Sequence, residues 1–146
     1  MNHHLLFHSV HQLSRQIMKQ TNIVLQPYGL YSAQWSVLYV IKQKGSMTQK
    51  ELSDYLSVEA PPMTRTVQRL VKQGYVRQMP GEDKRVKFIE MTELAEKEYP
   101  IWEKEIKKMN EKAIEGFPKV HQHELQQLLS NWLYALDSHQ RKEEDK

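Results

Sequence analysis

The hydrophobic pattern of this chain changes period at Gly74, and that change limits the fold more than any other feature. Before it, Leu52 and Leu56, then Met63, Val67, Leu70 and Val71, recur at three- and four-residue steps, the repeat of one helix face. After it, Tyr75-Val76-Arg77-Gln78-Met79 and Val86-Lys87-Phe88-Ile89-Glu90-Met91 are β-compatible runs. They flank Pro80-Gly81-Glu82-Asp83-Lys84-Arg85, which predicts a β-hairpin with a charged tip. Thr48-Gln49-Lys50-Glu51 has the spacing of a capping box, in which the Thr side chain satisfies one free amide and the Glu reaches back to another. A short helix starts there, and Ser57-Val58-Glu59 leaves room only for a turn. The central segment reads helix, tight turn, helix, hairpin.

On the amino-terminal side, Leu6, Val10, Leu13, Ile17 and Val24 fall largely at helical steps between Leu5 and Leu25, until Pro27-Tyr28-Gly29 ends the pattern. Ser32 is placed to cap a second helix with Trp35, Val37, Leu38 and Ile41 as its apolar positions. Lys42 to Lys44 and Gly45 suit its end, and Ser46 and Met47 a turn or short strand. On the carboxyl side, Thr92 should cap a long helix through Trp102, Ile106, Met109 and Ala113, kinked at Pro100 and ended by Gly116-Phe117-Pro118. A last amphipathic helix carries Leu125, Leu128, Leu129, Trp132, Leu133 and Leu136, with Arg141 to Lys146 fraying. At 146 residues the chain suits one domain, and 39% hydrophobic with 27% charged residues is a folded composition rather than that of a disordered tail.

No run approaches a membrane span, and the first residues lack a signal peptide's basic start and apolar stretch, so a cytoplasmic protein is expected. Cysteine is absent, which removes disulfides, thiolate nucleophiles and Cys-type zinc sites. The net charge of +3 says little, but its distribution says more: residues 64 to 92 hold seven basic and three acidic groups, residues 93 to 146 nine and twelve. Positive charge thus concentrates where the second helix of the pair and the hairpin lie, as a polyanion-binding surface requires. With Met63, Val67 and Leu70 inward, a turn of about 100° per residue points Pro61, Arg65, Gln68 and Lys72 outward, with Thr64 and Arg69 beside them. Arg pairs bidentately with guanine and Gln with adenine, while Thr and Lys suit phosphate or a thymine methyl.

From Leu52 to Thr92 the chain resembles the MarR family of bacterial winged helix-turn-helix regulators. The helix pattern of that family is matched by Leu52, Leu56, Val58, Thr64, Arg65, Val67, Arg69, Leu70, Lys72, Gly74 and Val76. Its Asp-x-Arg wing followed by Leu-Thr is matched by Asp83, Arg85 and Met91-Thr92, with Met for Leu. The resemblance implies a mainly α protein with a small β-wing: a winged helix-turn-helix at 32–92, flanked by dimerisation helices at 1–27 and 93–141 in one domain. It implies a homodimer on a pseudo-palindromic operator in double-stranded DNA, each recognition helix in a major groove and each wing in a minor groove. Arg85 would enter that groove, oriented by Asp83. The expected DNA-binding set is Pro61, Pro62, Thr64, Arg65, Gln68, Arg69, Lys72, Asp83, Lys84 and Arg85. Pro61 and Pro62 depart from a usual helix start by removing two amide donors, leaving more of the contact there to side chains. The glycine that many relatives carry after the Leu-Thr pair is also missing, since Glu93 to Glu96 follow.

The expected function is a dimeric transcription regulator, a repressor rather than an activator, with no catalytic activity and no cofactor. A small anionic aromatic effector follows from the resemblance and from Tyr28, Tyr31, Trp35 and Tyr39 lying together, with Arg15, His8 or His11 as countercharge. His4, His8 and His11 share a helical spacing and His121 and His123 form a further pair, but no metal site is expected from them: there is no His-Glu-x-x-His and no adjacent carboxylate cluster. Two rivals remain, a winged-helix module that binds protein and a small histidine-dependent enzyme. Salt-sensitive retention on duplex DNA separates the first, and turnover abolished by one histidine substitution, without DNA binding, would mark the second.

Overall fold

The computed structural model describes residues 1–146. Helices α1 (His4–Leu25) and α2 (Ser32–Lys44) are followed by strand β1 (Met47–Thr48), helices α3 (Gln49–Leu56) and α4 (Ala60–Gln73), strands β2 (Val76–Pro80) and β3 (Lys87–Met91), and helices α5 (Glu93–Ala113) and α6 (Lys119–Glu144). The mainly helical fold with a small β-wing is as the sequence implies. The chain forms two compact units, Met1–Asn110 and Glu111–Lys146.

The helix-turn-helix is set by local chemistry. Thr48 accepts the Glu51 amide at 3.1 Å and Glu51 accepts the Thr48 amide at 3.1 Å, the reciprocal box read from the sequence. Ser57 takes a left-handed conformation, φ 55°, and ends α3, after which the turn feeds directly into α4. Gly74 ends α4 at φ 82°, where a side chain would be strained. Met63, Val67 and Leu70 face the core together with Leu52 of α3, while Val71, expected on the same face, is 42% exposed: one further step of about 100° carries it off the apolar stripe.

The sheet runs β1-β3-β2 and is antiparallel throughout, with Val76 opposite Met91 and Met47 opposite Ile89. Its buried face, Met47, Val76, Ile89 and Met91, closes the core of the first unit, to which α5 adds Tyr99, Trp102 and Ile106. Thr92 joins three elements: its hydroxyl donates to the Gly74 carbonyl at 2.6 Å and accepts the Ala95 amide at 3.2 Å, so the end of α4 and the start of α5 are fixed to the hairpin base. Gly81 lies so close to Phe88 that a Cβ would meet the ring at 2.9 Å, which keeps the turn tight.

Two local expectations are corrected. Ser32 is the first helical residue of α2, not its cap. Tyr31 holds the cap position, its amide donates to the Gln34 carboxamide at 2.8 Å, and the Ser32 amide donates to Asn22 of α1 at 2.7 Å. Second, α6 continues to Glu144, past the point where fraying is expected, with Arg141 and Lys142 in the last turn where cations suit the helix dipole. Helix α5 carries Pro100 inside it and runs on to Ala113.

Candidate nucleic-acid interface

Burial of Met63, Val67 and Leu70 leaves the opposite side of α4 in solvent, and Pro61, Pro62, Arg65, Gln68, Arg69 and Lys72 are all exposed on it. Arg65, Gln68 and Lys72 have neither an ion pair nor a side-chain hydrogen bond within the chain, so their donors are available to a ligand. Arg69 differs. Its guanidinium lies 5.6 Å from the centre of the Tyr31 ring, a cation–π contact that holds it over the start of α2.

Thr64 is half-buried and its hydroxyl is already engaged. It donates to the Ala60 carbonyl at 2.9 Å and accepts from Gln49 Nε2 at 2.6 Å. The contact brings Gln49, which the sequence marks only as part of the capping-box tetrad, beside a residue expected to bind DNA. Pro61 and Pro62 occupy the second and third positions of α4, so only Ala60 among its first three residues carries an amide hydrogen.

The other end of α4 is held by an amide chain that starts in the core. Gln34, 2% exposed, donates to Gln73 Oε1 at 2.8 Å, and Gln73 donates to the Gly29 carbonyl at 2.7 Å. Gln34 also accepts the Tyr31 amide. The one available signal was Gln34 itself, a polar residue in helical register with the buried Leu30 and Leu38. The chain anchors the recognition helix to the α2 start, so the exposed side chains stand on a fixed base.

In the wing, Asp83 and Arg85 meet as expected. The Arg85 amide donates to Asp83 Oδ1 at 3.0 Å, while Nε and Nη2 reach Oδ1 and Oδ2 at 3.3 Å each. The Arg85 amide first, and its guanidinium second, hold the Asp83 carboxyl below the usual carboxylate range. The fork is fully in solvent, so its value is orientation: Arg85 is held at the tip instead of sampling many rotamers. Lys84 stands beside it without a partner. Arg77, also basic and also in the hairpin, is paired across the strands with Glu90 and offers no free charge.

The aromatic group expected from the sequence is rearranged. Tyr31 turns away because the cap residue is extended, φ −121° and ψ 167°, and its ring receives Arg69 instead. Tyr28 packs on the core without joining the stack. Trp35 and Tyr39 remain together at 6.2 Å, but the main partner of Trp35 is Tyr99 of α5, stacked at 5.2 Å. Trp102 and Tyr75 continue the series. The Tyr99 hydroxyl is buried without a well-formed hydrogen bond; burial, then Glu103 and Tyr39, push it up to about 12, against the opposing pull of the nearby Gln43 side chain. Burial, with Glu98 second, raises Tyr75 as well. No three His, Asp or Glu side chains gather in a way that could hold a metal ion.

Comparison with known proteins places this geometry among regulators. The MarR family model matches residues 30–87, which span α2 through the wing. An uncharacterized HTH-type transcriptional regulator of Bacillus subtilis (strain 168), YwoH, is 47% identical over 116 residues, covering 80% of this chain and 84% of that protein. The multiple antibiotic resistance protein MarR of Escherichia coli (strain K12) is 34% identical over 84 residues, 57% of this chain and 58% of that one. Among solved structures, a mutant MarR from E. coli complexed with operator DNA has the same fold, with a TM-score of 0.81 at 24% identity over 89% of this chain and 94% of that chain.

Proposed function

Because the chain belongs to the MarR family of transcription regulators, we propose that it acts as a twofold dimer that binds a pseudo-palindromic DNA operator and represses the adjoining genes. The observation that carries this reading is the pairing of two prepared surfaces. One is the exposed face of α4, with Arg65, Gln68 and Lys72 unpaired. The other is the wing tip, where Asp83 aims Arg85. In this reading Arg65 and Gln68 meet base edges in the major groove, Lys72, Arg69 and Lys84 meet phosphates, and Arg85 enters the minor groove, where narrow A·T-rich sequence concentrates negative potential.

The dimer is supported by what the chain leaves uncovered. Leu6, Val10, Leu13 and Ile17 of α1 are exposed, and so are Leu128, Leu129 and Leu133 of α6, with Leu133 62% exposed. Apolar stripes of this kind call for a partner, and a second copy supplies one for the helices at 1–27 and 93–141. We further propose release by a small anionic aromatic molecule, which must favour the DNA-incompetent state by about 1.4 kcal/mol for each tenfold loss of affinity. No helix is long and apolar enough to cross a membrane, and a regulator of this kind works beside the DNA, in the cytoplasm, without catalysis.

The test is selection from a random duplex pool by the full-length protein. Enrichment of paired half-sites about one helical turn, ~34 Å, apart, bound with steep salt dependence, supports the reading. Failure to enrich any sequence, with salt-insensitive retention, overturns it. Titrating salicylate-like acids against the selected duplex then tests the effector class by operator release.

A further inference from the structure

A duplex seated on α4 passes the start of that helix, where donors are scarce. Pro61 and Pro62 have no amide hydrogens, and the residue before Ala60 is Glu59, whose carboxylate repels a phosphate. The first basic residue of the helix, Arg65, comes more than a turn later. Lys50 of α3 is turned along its own helix into an ion pair with Asp54 at 3.2 Å.

We infer that Gln49 is a further DNA contact: its carboxamide, aimed by Thr64, donates to a backbone phosphate beside the start of α4 and replaces the donors that Pro61 and Pro62 lack. This rests on the DNA-binding reading above and deepens it. The hydroxyl of Thr64 has one proton, committed to the Ala60 carbonyl at 2.9 Å, so toward Gln49 it only accepts. Gln49 must therefore present Nε2 to it, at 2.6 Å, which fixes a terminal torsion that is otherwise broad. One N–H is spent on Thr64. The second N–H and Oε1 have no partner within the chain, and Gln49 is half-exposed, so a directed donor remains at the junction of the two helices. In helix-turn-helix docking the first helix crosses the DNA backbone while the second enters the groove, so a donor at the start of α3 meets phosphate rather than base edges. Thr64, expected as a direct contact, becomes a positioning residue that acts through Gln49.

The experiment uses the full-length protein and the duplex recovered by selection, with Arg65→Ala as a control for recognition. Gln49→Ala should bind about tenfold more weakly, the loss expected for a hydrogen bond to a charged group. Gln49→Glu should bind more weakly still, because a carboxylate faces the phosphate. Thr64→Val should match Gln49→Ala, Thr64→Ser should bind like the wild type, and the Gln49→Ala/Thr64→Val pair should be no worse than either single change. Base preference should be the same in all of them, since a phosphate contact carries no sequence information. Neutralising phosphates one at a time as methylphosphonates should weaken the wild type at one position per half-site where Gln49→Ala is indifferent. The inference is overturned if Gln49→Ala and Gln49→Glu bind like the wild type while Arg65→Ala fails, or if Gln49→Ala alters base preference. A Thr64→Val protein that melts normally and binds normally overturns the positioning role. If the wild type enriches no sequence at all, the DNA-binding reading itself has failed and this inference falls with it.

Discussion

Helices α4 and α6 are both amphipathic, yet α4 buries residues of its apolar face and α6 buries none. Met63, Val67 and Leu70 of α4 are buried, and apart from Val71 and the helix-start Ala60, Pro61 and Pro62 the side that faces water is polar. No residue of α6 is buried, and Leu128, Leu129 and Leu133 stand exposed on a 26-residue helix. The difference separates two tasks that composition alone blends together. A helix whose apolar face is satisfied exposes polar groups for a ligand, whereas a helix whose apolar face is bare needs another protein surface.

The comparison breaks most readily at α6. Replacing Leu129 and Leu133 together with Glu should yield monomer or aggregate by sedimentation velocity, and cost roughly 10²-fold or more in affinity for a two-half-site duplex, because the half-sites are no longer linked. A stable dimer with unchanged affinity would remove α6 from the interface. In α4 the contrast lies between neighbours. Leu70→Ala should destabilise the protein by about 2–5 kcal/mol in denaturant melts, whereas Val71→Ala, on the exposed side, should stay within about 0.5 kcal/mol. Equal losses at both positions would mean that the face is assigned wrongly.

A smaller effect comes from the buried aromatic stack. Tyr99 keeps its proton in the folded protein up to about 12, while an unfolded tyrosine gives it up near 10.0. The raised value makes the folded state lose stability as pH climbs between those two values, and none below them. Tyr99→Phe should therefore flatten part of the alkaline fall in melting temperature and, because the hydroxyl has no well-formed hydrogen bond, change the neutral-pH value little. Superimposable alkaline profiles would contradict the burial of that hydroxyl. The smallest effect belongs to the wing: Asp83→Asn should not shift the melting temperature, yet should free the Arg85 side chain, seen as loss of its slowed guanidinium exchange by NMR. In the wild type the pairing is present above the ordinary carboxylate range and is lost as pH falls through the lowered Asp83 value.

What the sequence revealed follows from the range of the interactions. The capping box at Thr48 and Glu51 and, Val71 apart, the apolar stripe of α4 are local, spaced by three or four residues, and legible from spacing, whereas the Asp83–Arg85 fork is implied by the family resemblance. The Gln34–Gln73 bond joins residues 39 apart, and nothing in either neighbourhood announces the other. Tyr31 was grouped with Trp35 because a four-residue step implies a shared helix face. The extended backbone at the cap voids that rule. The end of α6 shows the limit of reading a charged terminus alone, since Lys and Arg in a last turn also stabilise a helix. Gln49 is an intermediate case, since its place in the box was visible but its partner Thr64 was assigned to DNA.

The account depends most on two separate DNA-reading surfaces, α4 in the major groove and the wing in the minor groove. Random-pool selection run in parallel on wild type, Arg65→Ala and Arg85→Ala tests this directly. Arg65→Ala should lose base preference at one position in each half-site, and Arg85→Ala should lose preference for A·T-rich flanks at a cost of roughly 1 to 3 kcal/mol in affinity, with the half-site unchanged. Three proteins that recover the same sequences with the same affinity would contradict it.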